Sequence, residues 1–156
     1  MRTVLVKLFI TIAITALGAF AADNSIGTWK LNLVKSKFNP APSPVKSLTS
    51  AREAADGGVK VSTTGEQADG TPINSSYSAK YDGKEITVSG NAPYDKIALK
   101  QVNANTLTAT LKKSDGKYRA TGRSVVSKDG KTMTITIRGT NADGKAFTNV
   151  MVYDKQ

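Results

Sequence analysis

A chain of 156 residues with 22 basic and 12 acidic side chains, no histidine and no cysteine, is strongly basic at neutral pH. The missing residue types exclude imidazole- or thiol-based nucleophile pairs, the usual zinc sites, disulfides and cysteine-linked lipid anchors. No glycine-rich phosphate loop, dinucleotide-binding turn or glutamate-ended calcium loop is present.

The chain opens with Arg2 and Lys7 flanking an apolar run over 8–17, followed by the small-residue pattern Ala19-Phe20-Ala21. This is the layout of a secretory signal peptide, expected as a helix over 1–21 with cleavage before Ala22. The run is too short to cross a bilayer core of about 30 Å, and no second run follows, so the mature chain is expected to lack a transmembrane segment. Residues 22–156 suffice for one domain. The expected location is therefore outside the cytoplasm, periplasmic or secreted.

After the leader the residues alternate in period two. Met133, Ile135 and Ile137 stand against Thr132, Thr134 and Thr136, and Leu107, Ala109 and Leu111 against Thr106, Thr108 and Thr110. Such alternation marks strands with one buried face. In chain order the expected strands cover 27–33, 45–54, 59–67, 72–81, 84–89, 95–102, 106–111, 117–127, 132–137 and 145–153. The long connection 34–44 carries Pro40, Pro42 and Pro44, which remove backbone donors, and it is expected as a stiff loop. Asp-Gly stands at 56–57, 69–70, 82–83, 115–116, 129–130 and 143–144. Glycine adopts positive φ without a Cβ clash, so the repeated dipeptide reads as turn punctuation rather than as a site. Short connections between sequential strands make a meander, and a ten-strand meander hides its edges by closing on itself. The expected fold is all-β, an antiparallel up-and-down barrel of eight to ten strands; a two-sheet sandwich is the alternative.

The aspartates fall mostly in turns, and no two carboxylates sit in a recognisable catalytic arrangement, so a non-enzymatic protein without metal or cofactor is expected. The basic charge suits weak attraction to an anionic envelope surface, and no nucleic-acid partner is expected.

The stretch Gly27-Thr28-Trp29-Lys30-Leu31 opens the first strand, and Val150-Met151-Val152-Tyr153-Asp154-Lys155 lies in the last. The Gly27-x-Trp29 start resembles the lipocalin signature, and the mature chain resembles the lipocalin-like proteins exported by bacteria. Both end motifs are also similar to intracellular fatty-acid-binding proteins of the same calycin group. The resemblance implies a barrel around a cavity for a small hydrophobic or amphipathic molecule, with Trp29 plugging one end; a monomer is expected. It further implies that Met151 and Tyr153 occupy the positions where fatty-acid-binding proteins place an arginine and a tyrosine on the ligand. A second inward arginine would map to Arg123. The paired helices of those proteins are replaced here by the proline loop. Tyr77 and Tyr153 are candidate hydroxyl donors to the ligand, giving a candidate set of Arg123, Tyr153, Met151 and Tyr77. The alternation around Arg123 also permits the opposite arrangement. There Lys117, Arg119 and Arg123 face solvent while Tyr118, Ala120, Gly122, Ser124 and Val126 pack inward. A rival reading makes the protein an envelope interaction module, its barrel packed solid and its basic surface the contact.

Overall fold

The computed structural model describes residues 22–156; the expected leader lies outside the described residues. Eleven strands follow in order: β1 Gly27–Asn39, β2 Val45–Ala55, β3 Gly58–Gln67, β4 Pro72–Lys80, β5 Asp82–Thr87, β6 Ser89–Gly90, β7 Lys96–Asn103, β8 Thr106–Lys112, β9 Arg119–Val126, β10 Thr132–Thr140 and β11 Ala146–Lys155. The ten expected strands are all present, and the two-residue β6 is additional. No helix occurs among the described residues.

The strands form one antiparallel sheet in the order β5-β7-β8-β9-β10-β11-β1-β2-β3-β4-β6. The first and last long strands pair, Trp29 opposite Lys155 and Leu31 opposite Tyr153, so the meander wraps around. At the seam β4 pairs only through Ser75 and Ser76 with Gly90 and Ser89, and it approaches β5 without a ladder. The result is a nearly closed barrel.

The turns explain the repeated Asp-Gly. All six of those glycines have positive φ, between 66° at Gly57 and 91° at Gly70, and no other residue type among those described does. Gly130 N–H donates to the Ser127 carbonyl at 2.9 Å, and Gly116 and Gly144 make the same three-residue closure. At these three glycines and at Gly70 the turn is therefore a type I turn followed by a left-handed glycine, since type I′ needs positive φ at both central residues. Aspartate precedes the glycine because its Oδ1 accepts the N–H two residues on, from Lys84, Lys117 and Lys131 at 2.9, 2.9 and 3.1 Å.

The expected loop 34–44 is shorter than the sequence suggests, because β1 resumes beyond an irregularity and runs to Asn39. Between Asn32 and Lys37 the register breaks. Ser36 Oγ donates to the Asn32 carbonyl at 2.6 Å and accepts from Val152 N–H at 3.0 Å, so the bulge is hydrogen-bonded back onto β11. Asn32 Nδ2 and Lys35 Nζ both donate to the Asp154 carboxylate, at 2.7 and 3.1 Å.

Two apolar clusters line the inner face of the sheet. One is built on Val59, Val61, Ile97, Leu99, Leu111 and Tyr118. The other surrounds Trp29 with Leu31, Val126, Met133, Met151 and Tyr153. Half-buried Ile137 touches both. Trp29 has no exposed surface, and its Nε1–H donates to the Ser25 carbonyl at 2.8 Å, which pins the segment before β1 beneath the sheet.

Candidate functional site

Strand pairing decides which polar side chains enter the barrel. On β2, Ser50 lies opposite Trp29 and Arg52 opposite Gly27, so Ser50 and Arg52 share the inward face of Trp29. Arg52 is accordingly only 9 % exposed. Its Nη1 donates to Ser25 Oγ at 3.3 Å, and its Nε–H is buried without a partner. Among the described residues every ion pair within 4 Å is made by a lysine, so no carboxylate neutralises this guanidinium. The nearby Asp23 carboxylate is already occupied, accepting from the Tyr81 hydroxyl and, at 2.8 Å, from Ser25 N–H.

Tyrosines share the interior with this charge, and Tyr77 lies on its rung, since Val61 pairs with Arg52 on one side and with Tyr77 on the other. Burial raises the Tyr77 and Tyr94 hydroxyls above their ordinary value and pushes Tyr153 up to about 12, and in all three cases the positive charge of Arg52 pulls the other way. Tyr81 is raised by burial and then by its hydrogen bond to Asp23, again opposed by Arg52. Tyr77, Tyr94 and Tyr153 are therefore protonated at physiological pH and able to donate, whereas the Tyr81 O–H is already given to Asp23. Tyr118, pushed up to about 12 by burial alone, belongs to an aromatic row with Tyr94 and Phe147, at centroid separations of 6.1 and 5.6 Å.

An isolated buried charge costs several kcal/mol of desolvation, and a buried donor left unmade costs about 1–3 kcal/mol more. Ser124 Oγ, inward on β9, is a second buried polar atom without a partner. The interior thus combines a cation, phenolic donors and apolar walls. Chemically it is suited to holding an oxyanion attached to an apolar body. Among the described residues no group of three or more carboxylates forms a cluster suited to a metal ion.

Of the four residues singled out from the sequence, Tyr77, Met151 and Tyr153 point inward. Tyr77 lies opposite inward Val61, and Tyr153 and Met151 are 4 % and 9 % exposed, with the Tyr153 hydroxyl 3.9 Å from Met151 Sδ. Arg123 does not join them. It is exposed on the outer face of β9 together with Arg119 and Thr121, while Ala120, Ser124 and Val126 are buried. The inward placement implied by the family resemblance is corrected: small and apolar residues fill the inner face, and the guanidinium stays in water. Arg52, which the sequence reading passed over, is the arginine inside.

Two cavities open on the barrel's surface. One, about 670 Å³, crosses the outer face of β7–β10; the other, about 480 Å³, lies at the seam beside Asn74, Ser75, Ser89 and Asn91.

No protein-family model matches the chain, and no curated protein matches its sequence. Solved structures of similar shape include a redesigned β-barrel, mFAP1, bound to DFHBI. It is 18% identical, covers 85% of this chain and 98% of its own, and has a TM-score of 0.46. The zebrafish ileal bile acid-binding protein in complex with cholic acid is 11% identical, covers 86% of this chain and 100% of its own, and has a TM-score of 0.48. At TM-scores below 0.5 these likenesses carry no argument about ligand or descent.

Proposed function

We propose that this protein is an exported, non-enzymatic barrel of the lipocalin-like kind that holds a small amphipathic anion, with the anionic end on Arg52 and the apolar body against the inner wall. The observation that carries the reading is the guanidinium itself, nine-tenths buried, bonded once through Nη1 and unpaired at Nε. A carboxylate entering the barrel would complete a charge-assisted pair and supply the missing acceptor. Protonated Tyr77 and Tyr153 would add neutral donors beside it. The seam between β4 and β5, where the ladder is interrupted, is the route of entry that breaks fewest hydrogen bonds. Export rests on the leader pattern, and the absence of catalysis on the lack of histidine, cysteine and paired carboxylates.

The test is a titration of a fluorescent fatty acid and its methyl ester against the parent and Arg52→Met. A charge-assisted bond of roughly 1.5–3 kcal/mol makes the acid bind the variant about 10- to 150-fold more weakly, with the ester unchanged. Removing an unpaired buried charge should leave stability equal or higher. Equal losses for acid and ester, or no binding of either by the parent, would defeat the proposal.

A further inference from the structure

The outer face of β7–β10 has a composition the interior ligand does not explain. Lys100, Thr108, Arg123 and Thr136 lie opposite one another across four strands on one rung. The next rung on the same face runs Ala98, Thr110, Thr121 and Arg138. These two rungs line the groove of about 670 Å³. Arg123 and Arg138 are diagonal neighbours on adjacent strands, about 7–8 Å apart at the backbone, so both guanidiniums reach one anionic group. Among the described residues neither is held by an ion pair, and β8, β9 and β10 contain no carboxylate at any position. On β5, the strand beside β7, the acidic residues are Asp82 and Glu85. Glu85 is engaged by Lys112 at 2.7 Å, and Asp82, opposite Lys100, is approached by Lys84 at 3.9 Å.

We propose that this groove binds an acidic polysaccharide, the arginines taking its carboxylate or sulfate groups and the threonine hydroxyls its sugar hydroxyls. The lining favours that class over the other polyanions. No aromatic side chain lines the groove, so there is no platform for stacked bases. The exposed large apolar residues, Leu33, Val34, Val102 and Val125, all lie outside the lining, so nothing in it would enter a bilayer. Each threonine, by contrast, offers a donor and an acceptor in fixed register, as a chain of polyols requires.

Calorimetric titration with short oligogalacturonate and with dextran sulfate, at low and at physiological ionic strength, tests this. The site variant is Arg123→Ser with Arg138→Ser. The control is Lys60→Ser with Lys80→Ser, which removes the same charge from the outer face of β3 and β4. All four side chains are exposed, so both variants should keep the parent's circular dichroism. The expected result is binding of at least one acidic glycan by the parent, weakened roughly tenfold or more in the site variant and less than about twofold in the control. Equal weakening of the two variants would reduce the effect to net charge and overturn the proposal. So would failure of the parent to bind either glycan, or binding of single-stranded DNA or anionic vesicles as tightly as the sugar.

Discussion

Replacing Trp29 by alanine probes the end of the barrel most sharply, because this one side chain is packed on every side and tied to the segment beneath it. Trp29 has no exposed surface and is packed among Leu31, Val126, Met133, Met151 and Tyr153. A buried tryptophan removes about 150–250 Å² from water, and at about 25 cal/mol per Å² that amounts to roughly 4–6 kcal/mol. Mutational experience with large aromatic residues in cores gives about 3–5 kcal/mol, and partial collapse of the wall brings the first figure toward the second. The lost hydrogen bond to the Ser25 carbonyl at 2.8 Å adds about 1 kcal/mol. Trp29→Phe separates these contributions, since it keeps most of the apolar contact and loses only the donor. Urea unfolding followed by circular dichroism should show Trp29→Ala losing about 4 kcal/mol and Trp29→Phe about 1–2 kcal/mol. Trp29 is the single tryptophan, so the parent's indole emission reports this position alone and should be blue-shifted and protected from iodide. An alanine variant within about 1 kcal/mol of the parent, or iodide-accessible emission from the folded parent, would refute the placement of Trp29 as an end plug.

Two glycines test the turn and strand arguments for different reasons. A Cβ at Gly130 meets nothing within 4 Å, so Gly130→Val is penalised only by the positive φ of 69°, about 1–2 kcal/mol by urea unfolding, with binding unaffected. Loss of binding at unchanged stability would mean that the loop is a site. At Gly58 the φ is ordinary, but a Cβ would run into the Ala79 carbonyl of the neighbouring strand. Gly58→Ala should therefore cost about 1–3 kcal/mol and loosen amide protection along β3 and β4; unchanged hydrogen exchange there would contradict the pairing. All five tyrosines are raised above their ordinary value. With Tyr118 and Tyr153 near 12 in the folded state against about 10 unfolded, their contribution is complete below pH 10 and is lost as pH rises from 10 toward 12. Tyrosinate absorbance should accordingly appear together with loss of the fold, and early tyrosinate in a folded barrel would show that these hydroxyls are exposed.

Much of the barrel was legible because the threonine-rich strands separate their faces cleanly. In β10, Met133 is buried and Ile135 and Ile137, though only half-buried, pack on the interior clusters, while the threonines between them belong to neither cluster. Strand β2 offers no such contrast. Its inward residues Leu48, Ser50, Arg52 and Ala54 are hardly more apolar than the outward Ser47, Thr49, Ala51 and Glu53. The direction of Arg52 is fixed by its partners, Gly27 on β1 and buried Val61 on β3, and that register depends on three strands at once. For Arg123 the local residues pointed correctly outward, since Ala120, Gly122 and Ser124 make an inward face; the family resemblance pointed the other way. The bulge in β1 escaped the sequence because it is held by Ser36 and Asn32 bonding across to Val152 and Asp154, at the far end of the chain.

The central claim is that Arg52 is an interior anion site, and the Nε–H of that residue reports on it directly. In a proton–nitrogen correlation spectrum, this resonance, assigned by its disappearance in Arg52→Met, should shift strongly downfield as a long-chain fatty acid is added and stay in place with the methyl ester, because only the carboxylate supplies the acceptor that the buried donor lacks. A saturating acid that leaves the Arg52 Nε–H unmoved, or an ester that moves it equally, would contradict the account.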